Sequence, residues 1–116
     1  MRKLAALVAV LVCLVAAQSA AAAIPNVFGS IACTSVASGP QAGQRQCGSA
    51  TGTVTPSWDG TPIDVSVTFP PATGADNNYP VIGIFHGWGG SKITPANSAT
   101  QRWVAQGYGS AASSSR

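Results

Sequence analysis

Apolar and polar positions fall into several distinct rhythms along this chain. Leu4 to Ala17 is an uncharged apolar run. From Ile24 to Ala50 there is little periodicity, and Gly, Ser, Pro and Gln dominate, which predicts an irregular lead-in. Thr51 to Thr55 alternates weakly and reads as a strand. Trp58-Asp59-Gly60-Thr61 follows as a turn, since Asp-Gly readily takes the positive φ of tight hairpins. Ile63, Val65, Val67 and Phe69 then alternate with polar residues, the pattern of a half-buried strand ended by Pro70-Pro71. Ala72 to Tyr79 is polar. Val81 to Phe85 is almost continuously apolar, which predicts a central strand covered on both faces. After a glycine-rich stretch, Thr94-Pro95 supplies an N-cap and a first helical residue. The predicted helix runs over Thr94–Gln106, with Ala99, Trp103 and Val104 as its buried stripe and Gly107 as its stop. The order is hairpin, apolar strand, glycine loop, helix, and it predicts a mixed α/β sheet.

The first apolar run reads as a targeting segment. Arg2 and Lys3 form a basic start, Leu4 to Ala17 the apolar centre, and Ala20 to Ala23 small residues for cleavage after Ala22 or Ala23. The rival reading is an uncleaved anchor, because a spanning helix needs about 20 mostly apolar residues and Leu4 to Ile24 just reaches that. Cleavage leaves about 93 residues, enough for one small domain. It also lowers the formal net charge from +3 to about +1, because Arg2 and Lys3 leave. Only 8% of residues are charged. No basic cluster is present to neutralise phosphates or to hold a membrane surface, so no nucleic-acid partner is expected, and a membrane is met only through the segment before cleavage. Of three cysteines, Cys33 and Cys47 remain after cleavage. In an oxidising compartment the simplest reading of such a pair is a disulfide. The alternative, a metal or redox pair, needs closer spacing or a neighbouring histidine. No cluster has metal-ligand spacing, and no cofactor is called for.

The stretch with most chemical content is Val81-Ile82-Gly83-Ile84-Phe85-His86-Gly87-Trp88-Gly89-Gly90. SWDGTPIDVSVTFPPA, YPVIGIFHGWGGSK and QRWVAQGY follow one another with a spacing that resembles the start of secreted actinobacterial α/β-hydrolases of the X-Pro dipeptidyl-peptidase and cocaine-esterase group. The resemblance covers about Ile24 to Tyr108. It implies a serine hydrolase acting on ester or peptide bonds, with small esters or peptides as substrates. It also implies that His86, Gly87, Trp88, Gly89 and Gly90 form the oxyanion-hole loop, with the Trp88 N–H as one donor. Acyl transfer builds charge on a carbonyl oxygen, and losing one preorganised donor to it costs about 3 kcal/mol. His86 is then a loop organiser and not a triad base, because the triad of this group runs Ser, Asp, His and His86 precedes any nucleophile. Without the resemblance, His86 reads as a hydrogen-bonded, partly buried histidine and the glycines as turn formers. Asp59 and Asp64 read as a turn former and a solvent-facing strand residue, and Trp58 and Trp103 as packing residues.

The resemblance stops at the end of the chain. A further buried strand is expected to begin near Tyr108, but the sequence reads GSAASSSR from Gly109 to Arg116, poor strand material. No Gly-x-Ser-x-Gly elbow is present, so the catalytic set is incomplete. The expected organisation is a signal peptide over 1–23, a disulfide-stapled lead-in over 24–50, a partial α/β-hydrolase domain over 51–108 and a low-complexity tail over 109–116. The fold class expected is α/β, the incomplete N-terminal portion of an α/β-hydrolase sheet. The expected function is that of an N-terminal fragment of a secreted serine hydrolase, from a lost reading frame or truncated gene. The alternative is a small secreted, disulfide-stapled binding or structural module.

Overall fold

The structure is a computed structural model and describes residues 24–49, 52–72 and 78–115. The expected signal segment over 1–23 lies outside the described residues. Among those described, no helix is long and apolar enough to cross a membrane.

Among the described residues, seven strands and one helix follow one another. They are β1 (Asn26–Val27), β2 (Ile31–Ser35), β3 (Arg45–Cys47), β4 (Val54–Pro56), β5 (Pro62–Phe69), β6 (Val81–Phe85), α1 (Ser98–Val104) and β7 (Gly109–Ser115). The strands form one mixed sheet in the order β1-β2-β3-β5-β7-β6, and β4 pairs beside β5. Every pairing is antiparallel except β6 with β7, which is parallel and bridged by α1. The α/β class expected from the sequence is therefore corrected. The described residues are mostly β-sheet with a single short helix, not the helix–sheet mixture of an α/β-hydrolase.

Two segments account for the difference. The lead-in is not irregular: it pairs as β1, β2 and β3. Cys33 stands directly opposite Cys47 in the β2–β3 register, and the two are joined as a disulfide with Cα atoms 4.0 Å apart. The bridge is the one expected, and it fits an oxidising, extracellular compartment. Ile31 and Cys47 from this hairpin join Val65, Val67 and Phe69 of β5 in the buried core cluster. The second segment is the end of the chain. Gly109–Ser115, read as a tail of poor strand formers, is a strand hydrogen-bonded on both sides, to β5 and to β6. Neighbours on both edges override local propensity here. Small residues also suit the place: a Cβ on Gly109 would come within 2.9 Å of the Phe69 ring.

The roles expected of the two apolar strands are exchanged. β5 is the covered strand, buried from Asp64 to Phe69. β6 is at the sheet edge, with Val81 and Phe85 exposed. Its residues alternate between half-buried (Ile82, Ile84) and exposed (Val81, Phe85), so it is not covered on both faces. In the register, Ile82 and Ile84 pair with Ser110 and Ala112, which are buried.

The helix is shorter than expected and starts later. Asn97, not Thr94, is the N-cap: its backbone is extended and its Oδ1 accepts the Ala99 N–H at 2.8 Å. Thr94 and Pro95 lie in the preceding turn, closed by the Asn97 N–H on the Thr94 carbonyl at 3.0 Å. Thr100 and Val104 are the buried residues, whereas Ala99 and Trp103 are half-buried. The helix ends as expected at Gly107, whose φ of 89° is the left-handed value that glycine takes most easily. Gly107 N–H bonds the Val104 carbonyl and Tyr108 N–H the Trp103 carbonyl, a Schellman arrangement sealed by the edge-on contact of the Trp103 and Tyr108 rings.

Candidate functional site

The His86–Gly90 loop leaves the exposed end of β6 directly. Phe85 is the last strand residue, so His86 begins the turn with its backbone position fixed by the β6–β7 ladder. His86 is half-buried, and Gly87, Trp88, Gly89 and Gly90 are exposed. The His86 Nδ1–H donates to the Gly87 carbonyl at 2.8 Å, and the Gly90 N–H donates to the same oxygen at 3.0 Å. Two donors on one carbonyl close the loop on itself. A glycine suits this place, because a Cβ there would lie a tight 3.0 Å from that oxygen and 3.1 Å from the His86 Cβ. Among the described residues the Trp88 N–H has no hydrogen-bond partner, and its indole projects fully into solvent. His86, Gly87, Trp88 and Gly89 line a shallow depression of about 490 Å³. The loop thus gathers the residues that the sequence singled out, and among the described residues the N–H groups of Gly87, Trp88 and Gly89 make no hydrogen bond.

Two residues beyond the loop lies a contact that the sequence reading missed. Lys92 is buried, and its Nζ sits 2.5 Å from Asp64 Oδ1 of β5 and 2.9 Å from the Ser49 carbonyl. The Gly52 N–H reaches the other Asp64 oxygen at 3.2 Å. Asp64 is therefore not the solvent-facing residue that strand alternation implied. It joins the start of β5, the loop around Ser49 and the return from the glycine loop. The available signal was scarcity: a chain with three acidic and six basic residues places one acid within the apolar strand β5 and one lysine just past the glycine loop. Trp58 also departs from expectation, being almost wholly exposed at its turn and not packed. Asp59 does hold that turn. Its carboxylate accepts from the Ser57 hydroxyl and from the Thr61 N–H, and these bonds lower its pKa from the ordinary 3.8 to about 2.

No nucleophile–base pair is assembled among the described residues. Ser110 is buried on β7, and its hydroxyl has no partner among the described residues; Ser113 and Ser114 are half-buried on the same strand. His86 is the single histidine of the sequence, and its Nδ1 is already bonded within its own loop. Among the described residues no group of three His, Cys, Asp or Glu is placed to hold a metal ion. Comparison with known proteins brings no relative: no family model, curated protein or solved structure matches the chain.

Proposed function

We propose that this chain carries the oxyanion-hole loop of a secreted serine hydrolase acting on ester or peptide bonds, similar to the X-Pro dipeptidyl-peptidase group, and that it has no catalytic triad of its own. The observation that supports the reading is the Trp88 N–H, left without a partner in a loop whose neighbouring Gly90 N–H and His86 ring are both tied to the Gly87 carbonyl. A fixed, unbonded donor next to a strand end is what stabilises a developing oxyanion. The nucleophile, the base and the second donor would come from sequence beyond these residues. A direct test is the nucleotide sequence after the Arg116 codon, read in all frames. Codons for Gly-x-Ser-x-Gly followed by Asp and His support the hydrolase reading, and their absence removes it.

One observation favours a second reading. The described fold is a β-rich sheet stapled by Cys33–Cys47, which is consistent with a small binding or structural module of an oxidising compartment. In that case the glycine loop is a surface turn, and the exposed Trp88 indole is its most accessible contact group.

A further inference from the structure

We infer that Lys92 and Asp64 are positioning residues for the glycine loop. Their buried ion pair holds the far end of the loop, and with it the backbone N–H groups that the loop presents. The near end is held by the sheet: His86 follows Phe85 directly, and Phe85 pairs with Ser113 in the β6–β7 ladder. Beyond His86, residues 87–91 are exposed. Gly87, Gly89 and Gly90 are among them, and glycine has the most backbone freedom to lose. Within the loop, the Gly87 carbonyl accepts from the His86 ring and from the Gly90 N–H. The second of these bonds needs Gly90 brought back toward His86, and Lys92 lies just beyond Gly90.

The register gives the span of the clamp. Asp64 pairs with Ser114, the β7 residue after the one opposite Phe85. It stands two strands across from the start of the loop, about 10 Å away at ordinary strand spacing. Lys92 bridges back to it. Its Nζ reaches Asp64 Oδ1 at 2.5 Å and the Ser49 carbonyl at 2.9 Å, and the Gly52 N–H holds the other carboxylate oxygen at 3.2 Å. Side-chain exposures of 3% and 9% take the pair out of water. Burying both charges costs roughly what their attraction returns, so an uncharged pair of like size serves stability about as well. What such a pair lacks is direction. Lys92 bonds particular atoms of β5 and of Ser49, and this defines where the end of the loop lies. The bearing on acyl transfer rests on the oxyanion-hole reading; the clamp itself does not.

NMR of the full, disulfide-intact chain reads the clamp without any turnover. With its ring neutral, His86 should carry the proton on Nδ1. The Gly90 amide should exchange about tenfold or more slowly than that of Gly89, which makes no hydrogen bond among the described residues. Lys92→Met/Asp64→Asn removes both charges together and keeps an acceptor for the Gly52 N–H. This variant should lose the Gly90 protection, by about tenfold, and give His86 the mixed tautomers of a free ring. Amides of the β5–β7 ladder should exchange as before. An unchanged loop signature in the folded double variant overturns the inference, as does an unprotected Gly90 in the unmodified chain. Where the variant does not fold, the unmodified chain still decides. Breaking the pair frees Gly52 and Gly90 together, so their exchange should share one denaturant dependence. Gly90 opening independently of Gly52 overturns the inference. Failure of the hydrolase reading shows instead in the codons after Arg116 and leaves these loop signals unchanged.

Discussion

A single carboxylate, Asp64, shows how far one residue's surroundings can depart from its local pattern. Strand alternation turns Asp64 away from the apolar face of β5, and in an isolated hairpin that direction is solvent. In the folded chain the returning loop covers it, and Lys92 and the Gly52 N–H satisfy its two oxygens. Lys92→Met should destabilise the protein by about 3 kcal/mol, measured by urea unfolding, because it leaves a buried carboxylate without its countercharge. An unchanged midpoint would mean that water reaches the pair. Asp59 is the opposite case, fully exposed yet perturbed by hydrogen bonds. Its pKa is lower in the folded chain than in the unfolded one. Its contribution to stability is therefore complete above the ordinary value of 3.8 and fades as the pH falls through about 2. A carboxyl NMR titration should find a midpoint near 2, moving back toward 3.8 in Ser57→Ala. A native midpoint already at 3.8 would show that the turn does not hold its carboxylate.

Elements were legible where the determinant was local. The Asp59-Gly60 turn, the strand ending at Phe69, the apolar run Val81–Phe85 and the stop at Gly107 all follow from residues within a few positions. What depended on distant neighbours was not legible. Burial of β5 on both faces requires the returning loop and α1, and strand formation by Gly109–Ser115 requires β5 and β6 on either side. The lead-in lacked periodicity because its strands are short and its order is imposed by pairing. Asn97 took the cap from Thr94 because the preceding Thr94–Asn97 turn delays the helix. The disulfide could be anticipated from the cysteine count, but its place in the sheet could not. Cys33 and Cys47 are 14 residues apart, so replacing both by serine should remove about 3 kcal/mol in a denaturant titration. No loss would indicate that the β2–β3 hairpin persists in the unfolded chain.

At the scale of the whole molecule, the glycine loop is held by the sheet, and among the described residues no nucleophile–base pair is assembled around it. The loop residues His86 to Gly90 were legible as a unit because their chemistry is written consecutively. The sheet that carries them was misjudged as α/β because its extra strands come from the least patterned parts of the chain. Catalysis needs a nucleophile, a base and an oxyanion hole held in register. On the proposed reading, the His86–Gly90 loop would supply part of the last. The measurement that bears most directly on this account is labelling of the purified, disulfide-intact chain with a fluorophosphonate probe, followed by intact mass. The account predicts no added mass and no turnover of activated esters or X-Pro substrates. Stoichiometric modification of any serine, on β7 or elsewhere, would contradict it and show that the chain contains a working nucleophile.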